Sequence, residues 1–410
     1  MIPILAEGFL DNDLQKNNIE AIKKLKNSVE RRELALCLGA GVGVDIGLPL
    51  WTSLINKLLI RISLSDNEFK PQAFDQEALC KAKIFENVNV LERAEYARIY
   101  LEEKYGEKNP KMSEVYLKEV VRDILQREYE HFPDSDRNPK LLKSIAALIA
   151  HESGVKHILT YNYDDALEHY LKQHPNVSKG IISIKSLGPK ECVYKLDNEK
   201  QRRIYHVHGR IYIKYTKEQE EASDENSGDN KFMLSESSYR NEEVRFTNTT
   251  SCQVQLMSAL NCLFIGWSGQ DDNFRRIIQK RDVNDTEHFI AFSINSVIKG
   301  IYNMSLDKIL HDCDELANNT TQYHLLQASL KLQRQYYNKY KITPIFFLHD
   351  ELIPKQQCGF STSGEFRNEV KNMGKCQDIR HQGESAFKLP YQDLVKLLEY
   401  ITPFRKRTRR

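Results

Sequence analysis

The chain has 410 residues, of which 40% are hydrophobic, so it is long enough to bury one large core with insertions or two smaller ones. Its 59 basic and 57 acidic side chains leave a net charge of +2, which gives no overall attraction to nucleic acid. No apolar run approaches the roughly 18–20 residues of a membrane span. The composition therefore argues against a membrane protein and against direct nucleic-acid binding.

The N-terminal segment and the cysteines predict a cytoplasmic protein without a metal. The segment MIPILAEGFLDND lacks a basic stretch followed by a long apolar run, so it does not resemble a secretory signal. The eight cysteines are widely spaced and none belongs to a C-x-x-C pair, which favours neither a zinc site nor a disulfide framework. We expect reduced thiols.

The first predicted strand, Leu34–Leu38, runs into a glycine-rich loop that ends at Pro49, the predicted start of a helix. Such a loop lets backbone amides and a helix N-terminus approach a phosphate. Two familiar patterns do not fit, because Val44 stands where G-x-G-x-x-G needs glycine and the Gly-Lys-Ser/Thr of a P-loop is absent. An ordinary loop explains a lone glycine cluster equally well. The glycines are Gly39, Gly41, Gly43 and Gly47.

Six short apolar runs predict strands, and most are separated by helical patterns. Their continuous hydrophobicity is typical of strands that are buried on both faces. The predicted fold class is therefore α/β, with a doubly wound parallel sheet. The predicted strands are Leu34–Leu38, His157–Leu159, Arg203–Val207, Cys262–Trp267, His288–Ile294 and Ile342–Leu348.

The remaining pattern is mostly helical. Between the first two strands we predict a helical insertion at about 64–140, and we divide the chain into a sheet domain over 1–350 and a C-terminal extension over 351–410. The basic tail Arg405–Arg410 is expected to be a solvated end rather than a binding arm. The predicted helices are Val88–Leu101, Ser113–Leu125, Leu141–Ala150, Gln322–Tyr340 and Gln392–Ile401.

Two strands end in polar residues suited to chemistry. After the strand at His157, the sequence T-Y-N-Y-D-D places Asn162 near two aspartates, Asp164 and Asp165, either of which could simply cap the next helix. The sequence RIYHVHGR carries His206 and His208, which share a face if the strand alternates through both, although a loop beginning at His208 would break that relation. A lone histidine is usually structural.

Two later strands also end in small or polar residues. Gly266 and Ser268 follow the strand at Cys262 and would permit close backbone contact with a ligand, and Asn295 follows the strand at His288. Open α/β sheets bind ligands outside the carboxyl ends of their strands. We therefore expect these motifs to contribute to one site.

The order GAG-V-G-x-x-x-G-L-P, T-Y-N-Y-D, V-H-G, G-W-S and S-I-N, from about Leu34 to Ser296, resembles the sirtuin superfamily. Two of these segments look more like the bacterial sirtuin-like NADase branch than the protein deacylases. The resemblance implies a Rossmann-like sheet that binds NAD. It makes Asn162 and His208 the catalytic residues, with His208 as the base. It implies that the cofactor-binding residues are Ala40 and Gly41 in the loop, Asp164 at the nicotinamide ribose, Gly266 and Ser268 near phosphate or ribose, and Asn295 on the adenosine side.

Departures from the deacylase pattern favour water as the acceptor. Gly43 stands where deacylating sirtuins carry serine, Leu50-Trp51-Thr52 stands where they carry an arginine, and the zinc module with paired C-x-x-C motifs is missing. The predicted reaction is NAD hydrolysis to nicotinamide and ADP-ribose. It requires a tightly held ribose and a polar group for water, but no strong acid, because nicotinamide leaves as a neutral molecule. The alternatives are an NAD-dependent protein deacylase or ADP-ribosyltransferase, and a non-catalytic nucleotide sensor or scaffold.

The resemblance also implies a biological setting. Such NADases act in antiphage defence by depleting NAD, and a constantly active one would be toxic, so we expect control by oligomerisation or by a partner. The simple build of the chain resembles sirtuin-like proteins paired with a HerA-type hexameric ATPase. We accordingly expect a homo-oligomer with such a partner as a candidate, NAD as the substrate, and no metal cofactor.

Overall fold

The computed structural model describes residues 2–3, 5–6, 9–63, 88–105, 110–132, 139–189, 192, 194, 200–213, 232–234, 237–238, 248–267, 272–280, 286–295, 297, 301, 320–348 and 392–403. In these residues a seven-stranded parallel sheet carries helices on both faces. No helix among them combines the length and the hydrophobicity needed to cross a membrane.

The sheet has the strand order β3-β4-β2-β1-β5-β6-β7, and every neighbouring pair is parallel. The predicted α/β, Rossmann-like parallel sheet is thus confirmed. Six strands lie within a residue or two of their predicted bounds, whereas β3 was not predicted. The strands are β1 (Leu34–Leu38), β2 (His157–Thr160), β3 (Ser183–Leu187), β4 (Gln201–His206), β5 (Asn261–Ile265), β6 (His288–Ser293) and β7 (Ile342–Phe347).

Helices cover both faces of the sheet, and α3 and α4 lie between β1 and β2, where the insertion was expected. The divisions at 64 and 351 fall on residues outside the described ranges, so the domain bounds stay predictions. The helices are α1 (Asn12–Glu30), α2 (Trp51–Ser63), α3 (Val90–Tyr105), α4 (Pro110–His131), α5 (Lys140–Ala150), α6 (Ala166–Gln173), α7 (Pro175–Ser178), α8 (Asn248–Ala259), α9 (Asp272–Lys280), α10 (Thr320–Asn338) and α11 (Gln392–Ile401).

Successive side chains along the central strands point to opposite faces of the sheet. They therefore belong to two hydrophobic clusters, one on each face. In β1, Leu36 and Leu38 belong to the cluster that includes α2, α5 and α11, while Ala35 and Cys37 belong to the cluster that includes α8 and α10. All five residues of β1 are buried. This two-sided burial explains why the strand reads as a continuous apolar run.

The edge strand β7 is protected by polar side chains from elsewhere in the chain. Asn18 of α1 donates to the carbonyl of Phe346 at 2.8 Å and accepts from its N–H at 2.9 Å. Asp393 of α11 accepts hydrogen bonds from the backbone N–H groups of Ala6 and Leu348. These bonds satisfy backbone groups that an open edge would expose, and they attach the last described helix to the sheet.

Arg202 is a fully buried cation in β4 that caps the end of α5. Its guanidinium donates to the carbonyls of Ile149 at 2.9 Å, His151 at 2.8 Å and Glu152 at 3.1 Å. The last carbonyls of a helix lack partners within the helix and carry partial negative charge, so a cation there is favourable. Arg202 therefore connects α5 to the strand that leads to His208.

Replacing Arg202 with methionine should destabilise the protein. The Arg202→Met variant keeps the length of the side chain but leaves buried carbonyls without donors, so we expect the free energy of unfolding to fall by about 3 kcal/mol. Urea unfolding monitored by circular dichroism measures the change. The control is Arg31→Met at an exposed arginine, expected within about 0.5 kcal/mol of the parent. Equal losses in the two variants would refute the capping role.

Candidate active site

The predicted motifs converge at one edge of the sheet, where the strand order changes direction. From β1 the chain continues to β2 on one side, and later to β5 on the other side. Leu38 pairs with Thr160 and with Ile265, and Thr160 pairs with His206. The segments that follow these four residues therefore leave the sheet side by side, at the type of crevice where α/β folds bind ligands.

The glycine loop after β1 folds as a 3-10 helix, Ala40–Ile46, rather than as an open turn. It ends at Gly47, whose φ of 90° lies in the left-handed region that favours glycine. Helix α2 begins at Trp51, two residues after the predicted start at Pro49. The residues before Gly47 form the 3-10 helix, and the α-helix begins only after the short connection that follows Gly47.

The loops after β1 and β5 cross so closely that their backbones are in direct contact. The Gly39 N–H donates to the Ile265 carbonyl at 2.9 Å, and the Gly41 N–H donates to the Gly266 carbonyl at 3.1 Å. A Cβ on Gly41 would lie 2.8 Å from the Cα of Gly266, and one on Gly266, where φ is 75°, would lie 2.8 Å from the Gly39 carbonyl oxygen. The crossing by itself therefore requires glycine at these positions.

The predicted cofactor contacts in this part of the chain stay predictions. Ala40 begins the 3-10 helix directly beside the crossing. The Gly41 N–H is already engaged by Gly266, so Gly41 would admit a ligand by lacking a side chain rather than by donating this hydrogen. Ser268 lies outside the described residues.

Asp45 anchors the glycine loop to the N-terminus of α5. The residue is 1% exposed, and its Oδ2 accepts a hydrogen bond from the Leu141 N–H at 3.2 Å. Its Oδ1 is buried and has no hydrogen-bond partner among the described residues. Burial raises the pKa of the Asp45 carboxyl to about 7. The loop is thus held by a carboxyl group that changes its charge near neutral pH.

Asn162 holds a buried polar oxygen that has no hydrogen-bond partner among the described residues. Its backbone N–H donates to Oγ1 of Thr160 at 3.2 Å, which turns the chain at the end of β2. The residue is 8% exposed, and its side-chain Oδ1 is buried and accepts no hydrogen bond from any described residue. An unsatisfied buried acceptor costs about 1–3 kcal/mol, so such a group needs an explanation. A bound ligand that donates to Oδ1 would provide one.

His208 lies beside Asn162. The His208 ring hydrogen bonds to the backbone carbonyl of Tyr161, and this carbonyl carbon is bonded to the backbone nitrogen of Asn162. The ring also meets Tyr161 edge-on at 5.2 Å between centroids. Burial lowers the pKa of His208 to about 4. The imidazole is therefore neutral near pH 7, and a neutral ring that donates one N–H has an acceptor at its second nitrogen.

Of the two alternatives for His206 and His208, the structure supports the loop, and the two histidines do not share a strand face. Strand β4 ends at His206, and the chain turns at Val207 and His208, so the alternation does not reach His208. His206 is fully buried and faces Glu168 of α6, whereas His208 contacts Tyr161. The two histidines therefore occupy different environments.

The two aspartates after Asn162 have structural partners. Asp165 stands at the N-cap position of α6, but its Oδ1 accepts from the Ile213 N–H at 3.0 Å and not from the helix. Asp164, one residue earlier, accepts at Oδ1 from the Ala166 N–H at 3.2 Å. Burial raises the pKa of both carboxyls, that of Asp164 to about 6. The predicted ribose contact of Asp164 stays a prediction.

An arc of aromatic rings borders this edge, and sequence reasoning did not identify it as part of the site. Trp267, after β5, meets the Tyr161 ring at 4.4 Å and donates from Nε1 to the Cys37 carbonyl at 3.2 Å. Trp51, after the glycine loop, lies 6.0 Å from the ring of Tyr163. The signal was present, because tyrosines flank Asn162 in T-Y-N-Y-D and a tryptophan occupies the centre of G-W-S.

Asn295 lies further along the same edge, after β6. It is 5% exposed, and its N–H donates to Ser293 Oγ at 3.4 Å. Strand β6 is three positions from β2, which corresponds to roughly 14 Å between the strands. The structure therefore does not bring Asn295 next to Asn162, although an extended dinucleotide could span the distance.

The described residues contain no group of three or more His, Cys, Asp or Glu side chains that could hold a metal ion. The four cysteines that the structure describes are buried free thiols: Cys37, Cys192, Cys252 and Cys262.

Comparison with protein families gives one match. Residues 156–295 match the model of a family described as a SIR2-like domain, which covers about a third of the chain. Six of the eight predicted site residues lie within this range, while Ala40 and Gly41 precede it. Comparison with curated proteins finds no match. The similarity supports a sirtuin-like domain and NAD-related activity in general.

The protonation of His208 can be tested without any assay of activity. Because burial lowers its pKa to about 4, its ring should stay neutral from pH 8 down to pH 5.5. Ring nitrogen resonances of histidine-labelled protein, assigned with a His208→Gln variant, report the state directly. A protonation step of His208 near pH 6.5 would contradict the neutral assignment.

The Asp45 carboxyl should make stability depend on pH. Its pKa is about 7 in the folded protein and near 3.8 when unfolded, so its contribution is fully present below the unfolded pKa and is lost as pH rises through 7. An Asp45→Asn variant imitates the neutral form and should lose less stability than the parent between pH 5 and 8. Urea midpoints across this range measure the effect. Asp13→Asn, at a surface aspartate, should run parallel to the parent.

Proposed function

We propose that this protein is an NAD glycohydrolase that cleaves the bond between nicotinamide and ribose to give nicotinamide and ADP-ribose. One observation carries the proposal: Asn162, whose buried Oδ1 has no hydrogen-bond partner among the described residues, directly follows the Tyr161 carbonyl that the neutral ring of His208 contacts. Both groups stand at the strand ends where an α/β sheet binds a nucleotide. The similarity of residues 156–295 to a SIR2-like domain supports NAD as the ligand.

The chemistry needs few groups. Nicotinamide leaves the cationic pyridinium as a neutral molecule, so the site must mainly hold the ribose and position a nucleophile while positive charge develops on the sugar. Asn162 Oδ1 would accept a hydrogen bond from a ribose hydroxyl or from the attacking water. The His208 imidazole, neutral above about pH 4, would take a proton from the same hydroxyl or water.

Water is the proposed acceptor because the deacylase features are missing from the sequence. Gly43 replaces the serine and Leu50-Trp51-Thr52 replaces the arginine of the deacylase pattern, and the sequence has no C-x-x-C pair. A deacylase or an ADP-ribosyltransferase would use the same pocket with a peptide as acceptor. A nucleotide sensor would bind NAD without turnover.

We further propose a cytoplasmic role in antiphage defence through NAD depletion. The free thiols among the described cysteines support a reducing compartment. Because uncontrolled NAD hydrolysis would be toxic, we propose that a homo-oligomer, with a HerA-type hexameric ATPase as candidate partner, controls the activity. The proposed oligomer and partner rest on the sequence resemblance alone.

The test is NAD cleavage by the purified full-length chain, alone and with an added HerA-type ATPase. Nicotinamide and ADP-ribose are separated by chromatography, and ¹⁸O-labelled water shows whether solvent oxygen enters ADP-ribose. Asn162→Ala and His208→Ala should each lower kcat by about 10²–10⁴-fold, the usual contribution of such groups. The exposed His324→Ala is the matched control and should keep the parental rate.

The other functions have distinct outcomes. Nicotinamide release that requires an acylated peptide, or that transfers ADP-ribose to protein, would overturn hydrolysis. Binding of NAD without release of nicotinamide would favour the sensor. Unchanged rates in both active-site variants would refute the catalytic assignment.

A further inference from the structure

We propose that Glu168 and His206 form a positioning pair that sets the distance between Asn162 and His208. His206 Nε2 and Glu168 Oε1 are 2.6 Å apart, and the side chains are 0% and 8% exposed. The inference rests on the proposed function, because it assigns these residues a role in the same site. Neither residue was predicted as part of the site.

The pair closes a ring of contacts around the two proposed catalytic residues. Glu168 lies in the first turn of α6, the helix that begins directly after the loop of Asn162. His206 is the last residue of β4, two positions before His208. On the other side of the ring, His208 hydrogen bonds to the Tyr161 carbonyl, which precedes Asn162. A shift of α6 against β4 would therefore move Asn162 relative to His208.

Further contacts make the same connection. The Ser186 hydroxyl of β3 donates to Glu168 Oε1 at 3.0 Å, so the edge strand also supports the carboxylate. Ile211, just beyond His208, donates from its N–H to the Tyr163 carbonyl at 2.6 Å. The segments that carry Asn162 and His208 are thus held at several points, and Glu168–His206 is a buried side-chain contact between α6 and β4.

The contact with His206 also sets the acidity of Glu168. Burial raises the pKa of the Glu168 carboxyl, but the interaction and the hydrogen bond with His206 outweigh burial and lower this pKa, with help from Arg210. Burial raises the pKa of the neighbouring Asp164, and Asp165 and Glu168 add to that rise while His206 opposes it. The ionised form of Glu168 therefore depends on its contact with His206.

Burying this pair costs more free energy than its contribution to stability alone would justify. Glu168 Oε2 and His206 Nδ1 are both buried and have no hydrogen-bond partner among the described residues. Apolar residues of similar volume often stabilise a fold as well as a buried ion pair does. Fixed geometry is a better reason for this pair, since a displacement of about 1 Å in an active site can lower the rate about 10²-fold.

A buried histidine elsewhere provides a matched control. His288 at the start of β6 is 0% exposed, and its Nδ1 accepts from the Cys262 N–H at 3.0 Å. It lies at the amino edge of the sheet, opposite to the proposed site. Replacing it removes a buried imidazole and its hydrogen bond without touching the segments of Asn162 or His208.

The experiment compares steady-state NAD cleavage and thermal unfolding in Glu168→Ala, His206→Ala, the double variant and His288→Ala. We expect kcat to fall about 10–100-fold in both single variants, with KM changed less than about threefold. The double variant should be no slower than the singles, because the two residues act as one unit. His206→Gln, whose amide can still donate to Glu168, should recover part of the loss. His288→Ala should lower the unfolding temperature but not kcat.

Two further measurements test the proposal if the alanine variants do not fold or if the parent protein does not cleave NAD. If the alanine variants do not fold, Ser186→Ala, which removes one supporting hydroxyl at the partly exposed edge, should still lower kcat about two- to fivefold. If the parent protein does not cleave NAD, the proposed function fails, and the ring nitrogen resonances of His208 decide the positioning role alone. They should shift in Glu168→Ala and not in His288→Ala. Equal kcat losses in the pair and the control, or unmoved His208 resonances, would overturn the proposal.

Discussion

The site depends on the contact between two backbone loops at the point where the sheet changes direction. Gly41 and Gly266 touch with no side chain between them, and this contact fixes the loop after β1 against the loop after β5. Any larger residue would separate the loops and move Trp267, whose indole donates to the Cys37 carbonyl at the end of β1. The glycines that first suggest a nucleotide loop are therefore also required by the packing of the protein itself.

Much of the fold could be predicted from sequence because the central strands are buried on both faces and read as unbroken apolar runs. Strand β3 could not, since its residues Ser183 and Lys185 are exposed at the edge of the sheet and give no such run. The glycine loop was recognised, but its 3-10 form was not, because that form depends on contacts with Gly266 that are distant in sequence. The residues of the proposed catalytic pair could be named only because the sequence motifs resemble a known family.

Other features of the site have no local signal at all. The unpartnered oxygen of Asn162 and the pairing of Glu168 with His206 arise from tertiary placement. Their sequence neighbourhood is compatible with ordinary helix capping, and Asp164 does accept a hydrogen bond from the N–H of Ala166, the first residue of α6. Buried polar groups that are incompletely satisfied lie around the proposed site, at Asn162, Asp45 and Glu168, where they lower stability in exchange for defined geometry.

The aromatic arc has a practical consequence for studies of this protein. The chain contains two tryptophans, and both belong to the arc: Trp267 touches the Tyr161 ring, and Trp51 lies near Tyr163. Intrinsic tryptophan emission therefore originates entirely from the border of the crevice, and none comes from the rest of the molecule. The protein carries its own optical reporter, with which nucleotide binding at the crevice can be tested without any attached dye.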